Sequence, residues 1–115
     1  MSEPDFDYVI IGGGTAGAII AHNLSADRRY KVLVIEAGPD TPDGKVPASV
    51  LDGYPGTAML NPNLTWTDLR VSTEALSHNR PGERPRLRPY EQARVLGGGS
   101  AINGMLANRG SPLDY

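Results

Sequence analysis

The stretch VIIGGGTAGAIIAHNLS, residues 9–25, decides the fold. It begins in a short apolar run, residues 6–11, that carries Val9, Ile10 and Ile11 and stops at three glycines. A β-branched run this short, ended by glycine, predicts a buried strand. Beyond the glycines, Ala16, Ile19, Ile20 and Leu24 recur at helical spacing, with His22 and Asn23 on the opposite face. That pattern predicts a helix over residues 15–24. The polar SADRRY at 25–30 closes it. KVLVIE at 31–36 then reads as a second buried strand, broken by AGPD. Strand, glycine turn, helix and strand make a βαβ unit, for which a right-handed crossover is expected.

Gly12, Gly14 and Gly17 satisfy G-x-G-x-x-G between that strand and that helix, the context in which the spacing has a mechanical meaning. Gly12 permits the tight turn, Gly14 lets the backbone approach a pyrophosphate, and Gly17 lets the helix lie close on the strand. The helix N-terminus at Thr15 and Ala16 offers unpaired N–H groups to negative charge. Glu36 ends the second strand about twenty residues later, where a carboxylate accepts from ribose hydroxyls and repels a 2′-phosphate. Dinucleotide binding follows, with NADP disfavoured. These residues alone do not separate NAD from FAD.

Composition narrows the setting. At 115 residues one domain is the ceiling, and a full doubly wound sheet would be cramped. An apolar fraction of 39% suits a globular chain rather than a disordered one. The net charge of −2 provides no global field toward nucleic acid or an anionic membrane, so neither is an expected partner. Without cysteine there is neither a disulfide framework nor thiolate chemistry. MSEPDFDY at 1–8 lacks a basic and apolar leader pattern, and YVII and VLVI are too short to span a bilayer. A cytoplasmic protein is the expectation.

From residue 39 to residue 89 eight prolines punctuate the chain, with Gly44, Gly53, Gly56 and Gly82 among them. Residues 48–54 suggest a helical turn and residues 65–72 a strand. Irregular segments this long are uncommon in compact domains unless they are functional loops. Tyr54, Met59, Leu60, Leu64, Trp66 and Leu69 favour burial, so an ordered covering loop is expected rather than a flexible linker. Arg80, Arg84, Arg86 and Arg88 have few interleaved aromatics and read as a solvated loop or as donors to backbone carbonyls.

A second glycine-rich stretch, ARVLGGGSAINGMLANRGSP, occupies residues 93–112. Gly97, Gly98 and Gly99 let main chain lie against something flat or bulky. Ser100 is a candidate N-cap for a short helix running through Leu106. A simple hairpin or capping loop is the competing reading.

DYVIIGGGTAGAIIAHNLS (7–25), VLVIEAG (32–38) and ARVLGGGSAINGMLANRGSPLDY (93–115) resemble the glucose–methanol–choline (GMC) family of FAD-dependent oxidoreductases. NLTWTDL (63–69) extends the likeness into the middle of the chain. DTPD (40–43) and YEQARVLGGGSAIN (90–103) are similar to bacterial oxidases and dehydrogenases of aryl alcohols and hydroxymethylfurfural. The resemblance implies an α/β fold, a Rossmann-like FAD-binding βαβ unit that is an incomplete part of a larger two-domain α+β oxidoreductase. It divides the chain into the βαβ unit (1–38), a covering loop (39–92), and a flavin-contacting glycine loop with a short helix (93–112).

The resemblance also implies roles. The first loop holds the pyrophosphate of FAD, with Glu36 and Ala37 at the adenosine end. Arg94, Val95, Gly98, Gly99, Asn103, Gly104, Met105 and Leu106 line the flavin end. Trp66 matches a tryptophan near the cofactor, with ordinary core burial as its alternative. Some family members link FAD through a histidine at the position of Ile102, so non-covalent FAD is expected here. The family's proton-accepting histidine has no match in this chain. His22 and His78 read as surface residues, and no catalytic residue or metal ligand is assigned. The expected partners are a small-molecule alcohol and the remainder of the same enzyme. An NAD-dependent dehydrogenase fragment leaves the second loop without a role, and a non-catalytic nucleotide-binding subunit is the other rival.

Overall fold

Two strands, β1 (Tyr8–Ile11) and β2 (Val32–Ile35), pair in parallel with Tyr8 opposite Val32 and Ile11 opposite Ile35. Parallel neighbours require a crossover, which α1 (Thr15–Ser25) supplies. The register is pinned at the outer end. Lys31 O accepts from Asp7 N at 2.9 Å, and Lys31 N donates to the Asp7 carboxylate at 2.7 Å. The computed structural model describes residues 5–74, 79, 82 and 84–113; His78, Arg80 and Pro81 of the sequence reading lie outside them.

The predicted βαβ unit is present with ends shifted by a residue or two, but its burial differs from expectation. Ile11 is 86% and Ile35 50% exposed, so neither strand is buried. On α1 the less exposed residues are Gly17, Ala21 and Leu24, while Ala16, Ile19 and Ile20 face outward. The reason is that strand and helix are apolar on more than one side, and this chain lays only one layer against each. The radius of gyration, 18.9 Å, makes the same point against about 13 Å for a compact chain of this length.

The core lies elsewhere. Among the described residues the buried hydrophobics are Ala58, Leu64, Val95 and Ile102, with Val50, Ala93 and Ala101 packed against them. Half of that cluster comes from the proline-rich middle. There α2 (Ala48–Leu51) occupies part of the predicted turn, and α3 (Gly56–Met59) follows it. Asn61 Nδ2 donates to Ser49 Oγ at 2.9 Å, tying the two short helices together.

The strand expected over 65–72 is shorter. It is reduced to β3 (Arg70–Ser72), antiparallel to β4 (Leu87–Pro89). Thr65 makes an isolated bridge to Ala93, and Trp66 N donates to Gln92 O at 2.9 Å. A bend at Thr67 and Asp68 interrupts the ladder, and the Arg70 guanidinium donates to the carbonyls of Thr67 and Leu69 across it. Arg84, Arg86 and Arg88 are exposed.

Candidate functional site

Each glycine of the first loop has a different job. Gly12 takes φ +96°, a conformation that side chains disfavour, and its N–H donates to Ile35 O at 2.7 Å. A Cβ on Gly17 would run into the Gly12 carbonyl oxygen and lie 3.3 Å from Ile10 Cγ2. Only glycine therefore lets α1 leave the turn this close to the strand. No side chain caps α1, so its first-turn N–H groups at Thr15, Ala16 and Gly17 have no side-chain acceptor.

Gly14 meets protein as well. It forms a parallel bridge with Gly97, and a Cβ on Gly98 would sit 2.6 Å from Gly14 Cα. Gly97 N donates to Gly13 O at 2.8 Å. The two glycine stretches, far apart in sequence, are thus in direct backbone contact. Glu36 closes this junction: Oε2 accepts from Gly13 N at 2.7 Å and Oε1 from Gly38 N at 2.8 Å.

The contact creates one open cleft of about 370 Å³. Gly12 and Gly14 come from the first loop, and Glu36 and Ala37 from the end of β2. Trp66 comes from the middle, and Val95 and Gly98 from the second loop. Sequence reasoning missed Ile11, Ile35 and Ala93, which also line it. The two isoleucines were legible as the last strand residues before the glycine turn and before Glu36. Ala93 carries no such signal. Trp66 is 41% exposed and forms a wall of the cleft rather than part of the core. The Arg94 guanidinium lies 5.7 Å from its ring centroid, within cation–π range.

The second loop does not form the predicted helix through Leu106. A single 3₁₀ turn, Gly98–Ala101, takes its place, with Gly97 at its N-cap at φ 94°. Ser100 sits inside that turn, and its hydroxyl donates to Gly97 O at 2.7 Å instead of capping. Successive left-handed glycines and an Asn103 side chain that accepts from Met105 N at 2.8 Å compete with helix propagation. Val95 and Ile102 anchor the loop at its two ends in the core. Asn103 and Met105 line a separate pocket of about 100 Å³ beside α2 and α3. Gly99, Gly104 and Leu106 are exposed, as are Thr15, Ala16 and His22. Among the described residues no group of three or more His, Asp or Glu side chains is placed to hold a metal ion. No helix among them is long and apolar enough to cross a membrane.

A family description of an NAD(P)-binding Rossmann-like domain matches residues 10–65. The chain is 44% identical over its whole length to 5-(hydroxymethyl)furfural oxidase of Methylovorus sp. (strain MP688), covering 22% of that protein. It is 39% identical to pyranose dehydrogenase 2 of Leucoagaricus meleagris, with 99% of this chain and 17% of that one aligned. The chain belongs to the GMC family of oxidoreductases. An FAD-dependent oxidoreductase of Chaetomium thermophilum, another of its structural relatives, superposes with a TM-score of 0.65 at 35% identity. That match covers 96% of this chain and 17% of that one. The chain therefore spans about a fifth of the length of these GMC relatives. The fold is a Rossmann-like α/β unit, as the sequence predicts.

Proposed function

We propose that the chain is the FAD-binding segment of a larger oxidoreductase that oxidises primary alcohols, aryl and furanic alcohols among them. The observation that carries this is the meeting of both glycine loops, Glu36 and Trp66 on one cleft. An NAD-binding unit needs the first loop and Glu36 but has no use for the second loop. The residues suit FAD on physical grounds. The uncapped N-terminus of α1 is a ready anion site, and the glycines beside it leave no Cβ to obstruct a pyrophosphate. Glu36 keeps free lone pairs on both oxygens for ribose hydroxyls after its two backbone bonds. Ile11 and Ile35 provide apolar wall, and Trp66 a flat one.

In this reading Gly12, Gly14, Thr15, Ala16 and Gly17 form the pyrophosphate end, and Glu36 and Ala37 the adenosine end. Trp66, Arg94, Val95, Gly98 and Gly99 form the flavin end, and Asn103 to Leu106 continue it on the side of the smaller pocket that Asn103 and Met105 line. When bound, FAD supplies the hydride acceptor, at its flavin N5. This chain's residues bind and orient. The base that takes the hydroxyl proton belongs to the remainder of the enzyme, its expected partner. Ile102 is 7% exposed and packed in the core, which suits non-covalent attachment.

The test is a visible spectrum of the whole purified enzyme. Flavin bands that bleach on adding a primary alcohol support the reading. Bands that never bleach indicate a non-catalytic nucleotide-binding subunit, and no bands favour an NAD-dependent dehydrogenase, which the NAD(P)-binding family description keeps as the second reading. Acid precipitation is expected to leave a yellow supernatant, and a coloured pellet would refute non-covalent binding.

A further inference from the structure

We propose that Glu36 is a positioning residue for the second glycine loop, in addition to any contact it makes with a ribose. The argument is one of connectivity. Glu36 accepts from Gly13 N at 2.7 Å and from Gly38 N at 2.8 Å. Both of those glycines touch the second loop. Gly13 O accepts from Gly97 N at 2.8 Å. A Cβ on Gly38 would overlap the Arg94 carbonyl group and Val95 N, and Pro39 O beside it accepts from Leu96 N at 3.0 Å. One carboxylate therefore holds the two backbone segments between which residues 94–97 are fixed.

The chemistry separates this role from ribose binding. Backbone N–H groups only donate, so holding both requires two acceptor atoms. A carboxylate has two, but the amide of glutamine has one acceptor and would turn its NH2 toward the other N–H. A ribose hydroxyl both donates and accepts, so glutamine still serves it. The clamp thus distinguishes Glu from Gln, and ribose contact alone does not. The geometry of the clamp is independent of FAD, although its value for catalysis rests on the function proposed above.

The experiment compares Glu36→Gln with wild type in the full-length holoenzyme. It reads amide hydrogen exchange of the 94–98 segment, exchange of a segment containing Val71, and the visible flavin spectrum. An unsatisfied buried donor predicts that 94–98 exchanges about tenfold faster or more. The Val71 segment, paired with Arg88 in the other sheet, is expected to be unchanged and the flavin bands shifted, although Glu36 stands at the adenosine end. Unchanged exchange at 94–98 and an unshifted spectrum would overturn the clamp. Loss of FAD with 94–98 unmoved would also overturn it, leaving ribose binding as the sole role. If the wild-type enzyme carries no flavin, the proposed function falls, and the exchange comparison still decides the clamp. Gly38→Ala provides the independent check should Glu36→Gln not fold. Its methyl forces Gly38 away from Arg94 and Val95 and draws the Gly38 N–H off the Glu36 carboxylate, so it must reproduce the faster exchange at 94–98, and failure to do so overturns the proposal.

Discussion

Gly98→Ala is the perturbation for which the structure supports the fullest estimate. Gly98 sits at φ +60°, where an alanine costs roughly 1 kcal/mol. Its Cβ would stand 2.6 Å from Gly14 Cα. Carbon atoms in contact prefer about 3.5–4.0 Å, so the two loops must part by about 1 Å. That parting stretches the Gly97 N to Gly13 O bond, now 2.8 Å, beyond hydrogen-bond range. A lost backbone bond adds about 0.5–1.5 kcal/mol. The sum is ~1.5–2.5 kcal/mol, or about 12- to 60-fold in an equilibrium constant. The assay is FAD titration of the flavin-stripped full-length enzyme, with hydrogen exchange of the Gly97 amide as the structural readout. Gly53→Ala is the control, because a Cβ there meets nothing within 4 Å. Gly98→Ala binding FAD within about twofold of wild type, with Gly97 exchange unchanged, would refute the contact argument.

Other substitutions probe neighbouring features. Gly99→Ala adds a methyl with nothing within 4 Å, so the flavin-free melting temperature should hold while FAD affinity falls about fivefold or more. Equal affinity would remove Gly99 from the flavin end. Gly17→Ala forces α1 away from the Gly12 carbonyl and should cost about 1–3 kcal/mol, seen as a lower melting temperature together with weaker FAD binding. Leu64→Ala, at a side chain only 1% exposed, should cost about 2–5 kcal/mol and speed hydrogen exchange at Val95, its partner in the core.

Glu36 shows the limit of reading this chain residue by residue. Its place at the end of β2 was legible from strand length and spacing, but its two backbone partners were not. A carboxylate's hydrogen bonds to Gly13 and Gly38 depend on how two loops fold over it. Trp66 had two readings in the sequence, a place near the cofactor or ordinary core burial. Its ring is 41% exposed and lines the cleft, so it is not core. Ser100 had the chemistry of an N-cap, yet Gly97 and Gly98 take left-handed dihedrals and the helix it would cap does not form.

Local chemistry was enough for the βαβ unit. Short continuous apolar runs, period-3.6 apolar spacing, glycine's tolerance of positive φ and the carboxylate after β2 all act within a few residues of one another, so they are written in order along the chain. Burial and the meeting of the glycine loops are not local. Leu64 and Val95 become core only because Arg94 N reaches Leu64 O, and Gly97 finds Gly13 only once the intervening segment has closed on itself. Contacts between distant residues are selected by the free energy of the whole packed arrangement, and that selection leaves no periodic mark in the sequence.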